Sequence, residues 1–233
     1  MTALYAALDV DNAEDAVRLA NLLATVVDGF KVGLELLLGP GPATIGAIRQ
    51  LGRPVFADAK LLDIPHTVEG AARQLGRLGA RYVTVHASGG AAMLEAARIG
   101  LEDGAAGNPA GILAVTVLTS LDDGALAKIG VSGTTAKQVA RLARLAAAAG
   151  TEGVVCSVKE LDVVHQVAPA LVRVTPGIRF ADDTDDQLRV AAPAAAAAKG
   201  ADIIVVGRPI IRAKNPVAAA RRFSEAIGTP TGS

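Results

Sequence analysis

Pro54-Val55-Phe56-Ala57-Asp58-Ala59-Lys60-Leu61-Leu62-Asp63-Ile64-Pro65-His66-Thr67 begins apolar, turns polar, and then opens a helical pattern near Thr67 and Val68. The run 54–57 reads as a buried strand, so the charges that follow fall where a strand ends. Side chains alternate along a strand. Asp58 and Lys60 therefore point to the same side, and Asp63 comes after the chain has begun to turn. Two carboxylates would then bracket one ammonium. Three explanations stand open for such a cluster: surface ion pairs, a metal site, or a catalytic lysine held charged by its neighbours. Two charges on one face of an otherwise apolar parallel strand ask for more than surface solvation.

Outward from this stretch, short apolar runs alternate with longer helical ones. Residues 5–9, 30–33, 82–86, 112–118, 154–156, 171–175 and 203–206 are the other strand candidates. Asn12 is placed to cap a helix that carries Ala16, Leu19, Ala20 and Leu23 on one face. Further helices are expected after Pro42, through Ala71 and Leu75 to Leu78, from Gly90, from Asp122 and from Thr135. About eight strand and helix units result, which is the count of a closed (β/α)8, or TIM, barrel in the α/β class. The strands are near-continuous aliphatic runs, as in a parallel sheet covered by helices, and an open doubly wound sheet is the alternative. No composition break marks a second domain. The expectation is one barrel domain over residues 1–228, with 229–233 as a flexible C-terminal tail.

Composition narrows the function. The 233 residues are 51% hydrophobic and 3% aromatic, which suits one large aliphatic core. A formal net charge of +0 gives no reason to expect a nucleic-acid or acidic-membrane partner. The single Cys156 excludes an intrachain disulfide and a multi-cysteine metal site, and it reads as a small buried apolar residue. Met1-Thr2-Ala3 runs into a strand with no signal-peptide pattern, and the Ala-rich stretches are too interrupted to span a bilayer. A cytoplasmic protein is expected.

Polar residues recur at the strand ends: Asp9, Lys31, Asp58 with Lys60, His86, Thr119 with Ser120, Thr175 and Arg208. In a barrel these ends meet at one mouth, where barrel enzymes carry their chemistry. Taken singly, Asp9 could be a cap residue and Lys31 a solvated charge. Near the C-terminus, Thr175-Pro176-Gly177-Ile178-Arg179 and Val205-Val206-Gly207-Arg208-Pro209 follow strands seven and eight. Backbone N–H groups and an arginine fork in those loops suit a phosphate, with Gly207 allowing close approach.

Several motifs together resemble orotidine 5'-phosphate decarboxylase of the bacterial type. They are Asp58-x-Lys60-x-x-Asp63-Ile64-Pro65-x-Thr67, Val85-His86-Ala87-Ser88-Gly89-Gly90, Val115-Thr116-Val117-Leu118-Thr119-Ser120, Val154-Val155-Cys156-Ser157, Thr175-Pro176-Gly177-Ile178-Arg179 and Val205-Val206-Gly207-Arg208-Pro209-Ile210. They run in consistent order from Leu8 to about Ile211. The resemblance implies a dimeric barrel that converts orotidine 5'-phosphate to uridine 5'-phosphate and carbon dioxide in de novo pyrimidine synthesis, without metal or organic cofactor. It also implies Lys60 as the proton donor to C6 with Asp58 beside it, and Lys31 and Asp9 on the ribose. Asp63, Ile64 and Thr67 would reach the neighbouring subunit's site. Thr119, with Ser120, would face the pyrimidine edge, and Arg179, Gln187, Gly207 and Arg208 would hold the phosphate. His66 departs from the pattern, standing where asparagine is usual.

Loss of the C6 carboxylate leaves an sp2 carbanion that the ring delocalises poorly, which demands stabilisation of about 20 kcal/mol or more. A cationic lysine beside C6 answers that demand, and flanking carboxylates favour the ammonium. Three other functions are weighed beside it. Magnesium-dependent sugar-phosphate enzymes resembling 3-keto-L-gulonate-6-phosphate decarboxylase or hexulose-phosphate synthase share the Asp-x-Lys-x-x-Asp spacing. They carry a glutamate after strand two, where this chain has Lys31 and a displaced Glu35. A Schiff-base aldolase needs a free amine, which flanking acids oppose. A non-catalytic phosphate-ligand binding protein would keep the barrel without turnover.

Overall fold

The computed structural model describes residues 1–181 and 191–228. Gln187 and the proposed tail at 229–233 lie outside the described residues. Eight parallel strands close on themselves in chain order: β1 (Ala3–Ala7), β2 (Gly29–Val32), β3 (Val55–Leu61), β4 (Tyr82–His86), β5 (Gly111–Val115), β6 (Gly153–Val155), β7 (Val172–Thr175) and β8 (Ile203–Val206). Closure is made by β1 pairing with β8, from Ala3 against Ile203 to Ala6 against Val206. This is the expected barrel.

The outer layer is α1 (Ala13–Leu23), α2 (Leu34–Leu38), α3 (Ala43–Arg49), α4 (Pro65–Arg77), α5 (Ala91–Ala105), α6 (Asp123–Lys128), α7 (Thr135–Ala148), α8 (Leu161–Val167), α9 (Pro193–Ala198), α10 (Arg208–Ile211) and α11 (Pro216–Ala226). Local chemistry sets their starts. Asn12, Asp122 and Thr134 each accept the backbone N–H three residues on, and Pro65 occupies the first turn of α4. In α1 the buried residues are Ala16, Leu19, Ala20 and Leu23, the face expected from the sequence.

Alternation along the strands builds two apolar layers. Leu4, Ala6, Phe30, Val32, Val83 and Val85 face the helices and join the main core. Tyr5, Phe56, Tyr82, Leu113, Val174 and Val205 fill the lumen. The Tyr5 and Tyr82 rings lie 6.3 Å apart, and Phe56 meets Tyr82 edge-on at 6.4 Å, so aromatic bulk plugs the barrel below its mouth. Outside, α4 and α5 pack backbone to backbone. A Cβ on Gly100 would run into the Glu69 carbonyl oxygen, and one on Gly104 into that of Arg73. The helices behind β3 and β4 thus form one close-packed slab.

Two strand ends differ from expectation by three residues or more. β5 stops at Val115, where Thr116 turns its hydroxyl onto the Val155 carbonyl at 2.8 Å and the chain leaves the sheet. β3 runs on to Leu61, because its register against β4 shifts between Ala57 and Leu61. Such an irregularity re-aims side chains at a barrel rim.

Candidate active site

That shift creates the central feature of the site. Lys60 takes a φ of 47°, the left-handed region that residues with a Cβ rarely enter, at a cost on the order of 1–3 kcal/mol. Its backbone N–H donates to Thr84 Oγ1 at 2.9 Å, across to β4. Its ammonium donates to Asp58 Oδ2 at 2.7 Å. Asp58 and Lys60 therefore do meet, although a bulged strand and not a regular pleat brings them together.

Lys31, inward on β2, stands 3.5 Å from Asp58 Oδ2 and 3.0 Å from Asp9 Oδ1. Asp9, Lys31, Asp58 and Lys60 thus form an unbroken line of alternating charge across the mouths of β1, β2 and β3. Lys31 and Asp58 lie deepest, each with 13% of its side chain exposed, while Lys60 shows 32% to the cavity. Burial alone would push the Asp58 carboxyl upward. The Lys31 and Lys60 ammoniums, with hydrogen bonds from Lys60 and Thr84, outweigh that and hold it below the usual carboxylate range. Both Asp58 oxygens are taken, Oδ2 by the lysines and Oδ1 by the Thr84 hydroxyl at 2.9 Å.

A cavity of about 260 Å³ opens over this line. Asp9, Lys31, Asp58 and Lys60 form one side, Thr119 lies in the wall, and Arg179, Gly207 and Arg208 form the end above β7 and β8. Arg179 is buried, and its backbone N–H is held by the Ala191 carbonyl at 3.0 Å. The site is therefore charged along one flank, apolar at its floor and cationic at one end.

Not every expected residue joins it. Asp63 does not bracket Lys60 within the chain. Beyond the bulge the backbone turns toward Pro65, Asp63 is carried to the exposed rim, and its Oδ1 accepts the Ile64 N–H at 2.6 Å. Ile64 and Thr67 are exposed beside it, as is His66. Ser120 is exposed and lies off the cavity wall. Thr175 does not reach the mouth, since it falls on the helix-facing side of β7, where its Oγ1 is buried with no hydrogen-bond partner among the described residues. Burial pushes the Cys156 thiol up to about 12, in keeping with an inert core position. His86 is half-buried at the end of β4, and burial and then the Lys60 charge lower its pKa against the opposing pull of Asp58.

Thr84 is the residue that the sequence alone does not single out. It sits inside an apolar run and is fully buried, yet it touches both Asp58 and Lys60. Its inward phase, two residues before His86, was the available signal.

Comparison with known proteins follows this geometry. Residues 2–223 match the profile of the Orotidine 5'-phosphate decarboxylase / HUMPS family. An orotidine 5'-phosphate decarboxylase of Anaeromyxobacter sp. (strain K) is 50% identical over 226 residues, covering 96% of this chain and 97% of the relative. One from Thermobifida fusca is 48% identical over 217 residues, covering 92% of this chain and 91% of the relative. Among solved structures, the orotidine 5'-phosphate decarboxylase of Lactobacillus acidophilus superposes with a TM-score of 0.84 at 36% identity, over 98% of this chain and 100% of that one.

Proposed function

The chain belongs to the orotidine 5'-phosphate decarboxylase / HUMPS family, and from that premise we propose that it decarboxylates orotidine 5'-phosphate to uridine 5'-phosphate, in the cytoplasm, without metal or organic cofactor. The observation that carries this reading is the Lys60 ammonium, offered to the cavity with Asp58 fixed behind it. The C6–carboxylate bond breaks, its electron pair stays on C6, carbon dioxide departs, and Lys60 gives a proton to C6. Water then reprotonates the amine. Charge set in place before the reaction stabilises the carbanion without reorganisation. Asp9 and Lys31 would hold the ribose, Thr119 the pyrimidine edge, and Arg179, Gly207 and Arg208 the phosphate.

The metal-dependent branch of the family finds less support, because lysines and a threonine occupy the oxygens of Asp58 that an ion would need. Exposed Glu35 lines no part of the cavity. The enzyme would work as a homodimer. Leu62 at 57% and Ile64 at 66% exposure leave apolar surface beside the site, flanking Asp63, where a second copy would bring its own Asp63, Ile64 and Thr67 to the mouth.

The deciding assay measures decarboxylation of orotidine 5'-phosphate by purified protein in excess EDTA. Undiminished turnover is expected. Activity that disappears in EDTA and returns with magnesium would instead favour the sugar-phosphate chemistry.

A further inference from the structure

We propose that Thr84 is a positioning residue that sets both partners of the Asp58–Lys60 pair at once. The proposal rests on the decarboxylase reading. Thr84 is wholly buried, and its one hydroxyl makes two bonds of different kinds: it accepts from Lys60 N at 2.9 Å and donates to Asp58 Oδ1 at 2.9 Å. Because the Lys60 N–H already points at the oxygen, the single hydroxyl proton is committed to Asp58. That commitment fixes the carboxylate plane with Oδ2 turned to the lysines, where Lys60 sits at 2.7 Å and Lys31 at 3.5 Å.

The other bond supports a backbone that has left its ladder. At φ 47° and opposite a register shift, Lys60 has a conformation that persists only where its surroundings hold it. Thr84 supplies a partner for the Lys60 N–H at that point. One side chain therefore fixes where the amine starts and where its counter-ion points. A methyl-bearing core residue of the same size would do neither.

The test compares Thr84→Val, which keeps the volume, with Thr84→Ser, which keeps the hydroxyl. Wild-type protein is assayed first, and failure to decarboxylate at that stage would count against the function and not against this role. Thr84→Val is expected to lose about 30-fold or more in kcat while KM changes less than about threefold, because the affected interaction acts at the reacting carbon. Thr84→Ser is expected to stay within about threefold of wild type. The acid limb of the kcat–pH profile should move upward in Thr84→Val, since Asp58 loses a donor that favours its anion. Wild-type kcat and an unmoved acid limb in Thr84→Val, with only a lower thermal midpoint, would overturn the proposal. Should the valine variant not fold, Thr84→Ala gives the same two readouts, and wild-type values there overturn it equally.

Discussion

Gly207, at the mouth of β8, faces Asp9, at the mouth of β1, so closely that a Cβ on it would stand 2.9 Å from Asp9 Oδ2. The same carbon would meet Ala7 Cβ at an ordinary 3.4 Å. The colliding atom is therefore the end of a partly exposed side chain, which can swing aside. Swinging aside takes Asp9 away from Lys31, its partner at 3.0 Å. Gly207→Ala is accordingly expected to fold with a thermal midpoint within about 3 °C of wild type and to lose about tenfold in kcat/KM, mostly through KM. A full loss of folded protein, or unchanged KM, would contradict this account of the glycine.

The proposed sharing of sites between two subunits predicts an asymmetric rescue. Lys60→Ala alone should lose turnover by about 10³-fold or more while still binding uridine 5'-phosphate, since the residues proposed to hold phosphate and ribose are other ones. Asp63→Asn alone should also be impaired. In a mixed dimer of the two variants, one mouth inherits both defects and the other has an intact Lys60 and an intact Asp63. Verified heterodimers should recover about half the wild-type rate per dimer. No recovery would place Asp63 outside the site.

Acid sensitivity should trace in part to His86. Its folded-state pKa lies below the ordinary 6.5, first because the ring is half-buried and then because Lys60 repels a second positive charge. The unfolded chain takes up this proton as pH falls through about 6.5, while the folded chain refuses it until lower pH, so stability drains away across that window. His86→Gln, which never ionises, should flatten the fall of thermal midpoint between about pH 7 and pH 5.5. Parallel slopes for the two proteins would remove His86 from this role.

Much of the barrel was legible because each strand is a compact aliphatic run. Residues 82–86 and 203–206 match β4 and β8 at both ends. Asp9, Lys31, Asp58, Lys60, Thr119, Arg179, Gly207 and Arg208 all reach the cavity, and strand phase with chain direction accounts for Asp9, Lys31, Asp58 and Gly207 among them. The remainder depended on contacts distant in sequence. The left-handed Lys60 exists only in relation to Thr84, which lies 24 residues away. A period-two pattern gives no warning that a register shift will carry Asp63 out to the rim. Thr175 misled because a residue at a strand's end faces the mouth only if its phase is inward, and Val174 holds that phase on β7.

The slab formed by α4 and α5 has a consequence for heredity. Where two main chains touch with no room for a methyl, as at Gly100 and Gly104, even a change to alanine forces the helices apart, and they stand directly behind the strands that carry Lys60 and Thr84. A hunt for alleles that need added uracil only in warm culture should therefore return these outer glycines, far from any reacting atom. Alleles that need it at every temperature should cluster at the rim.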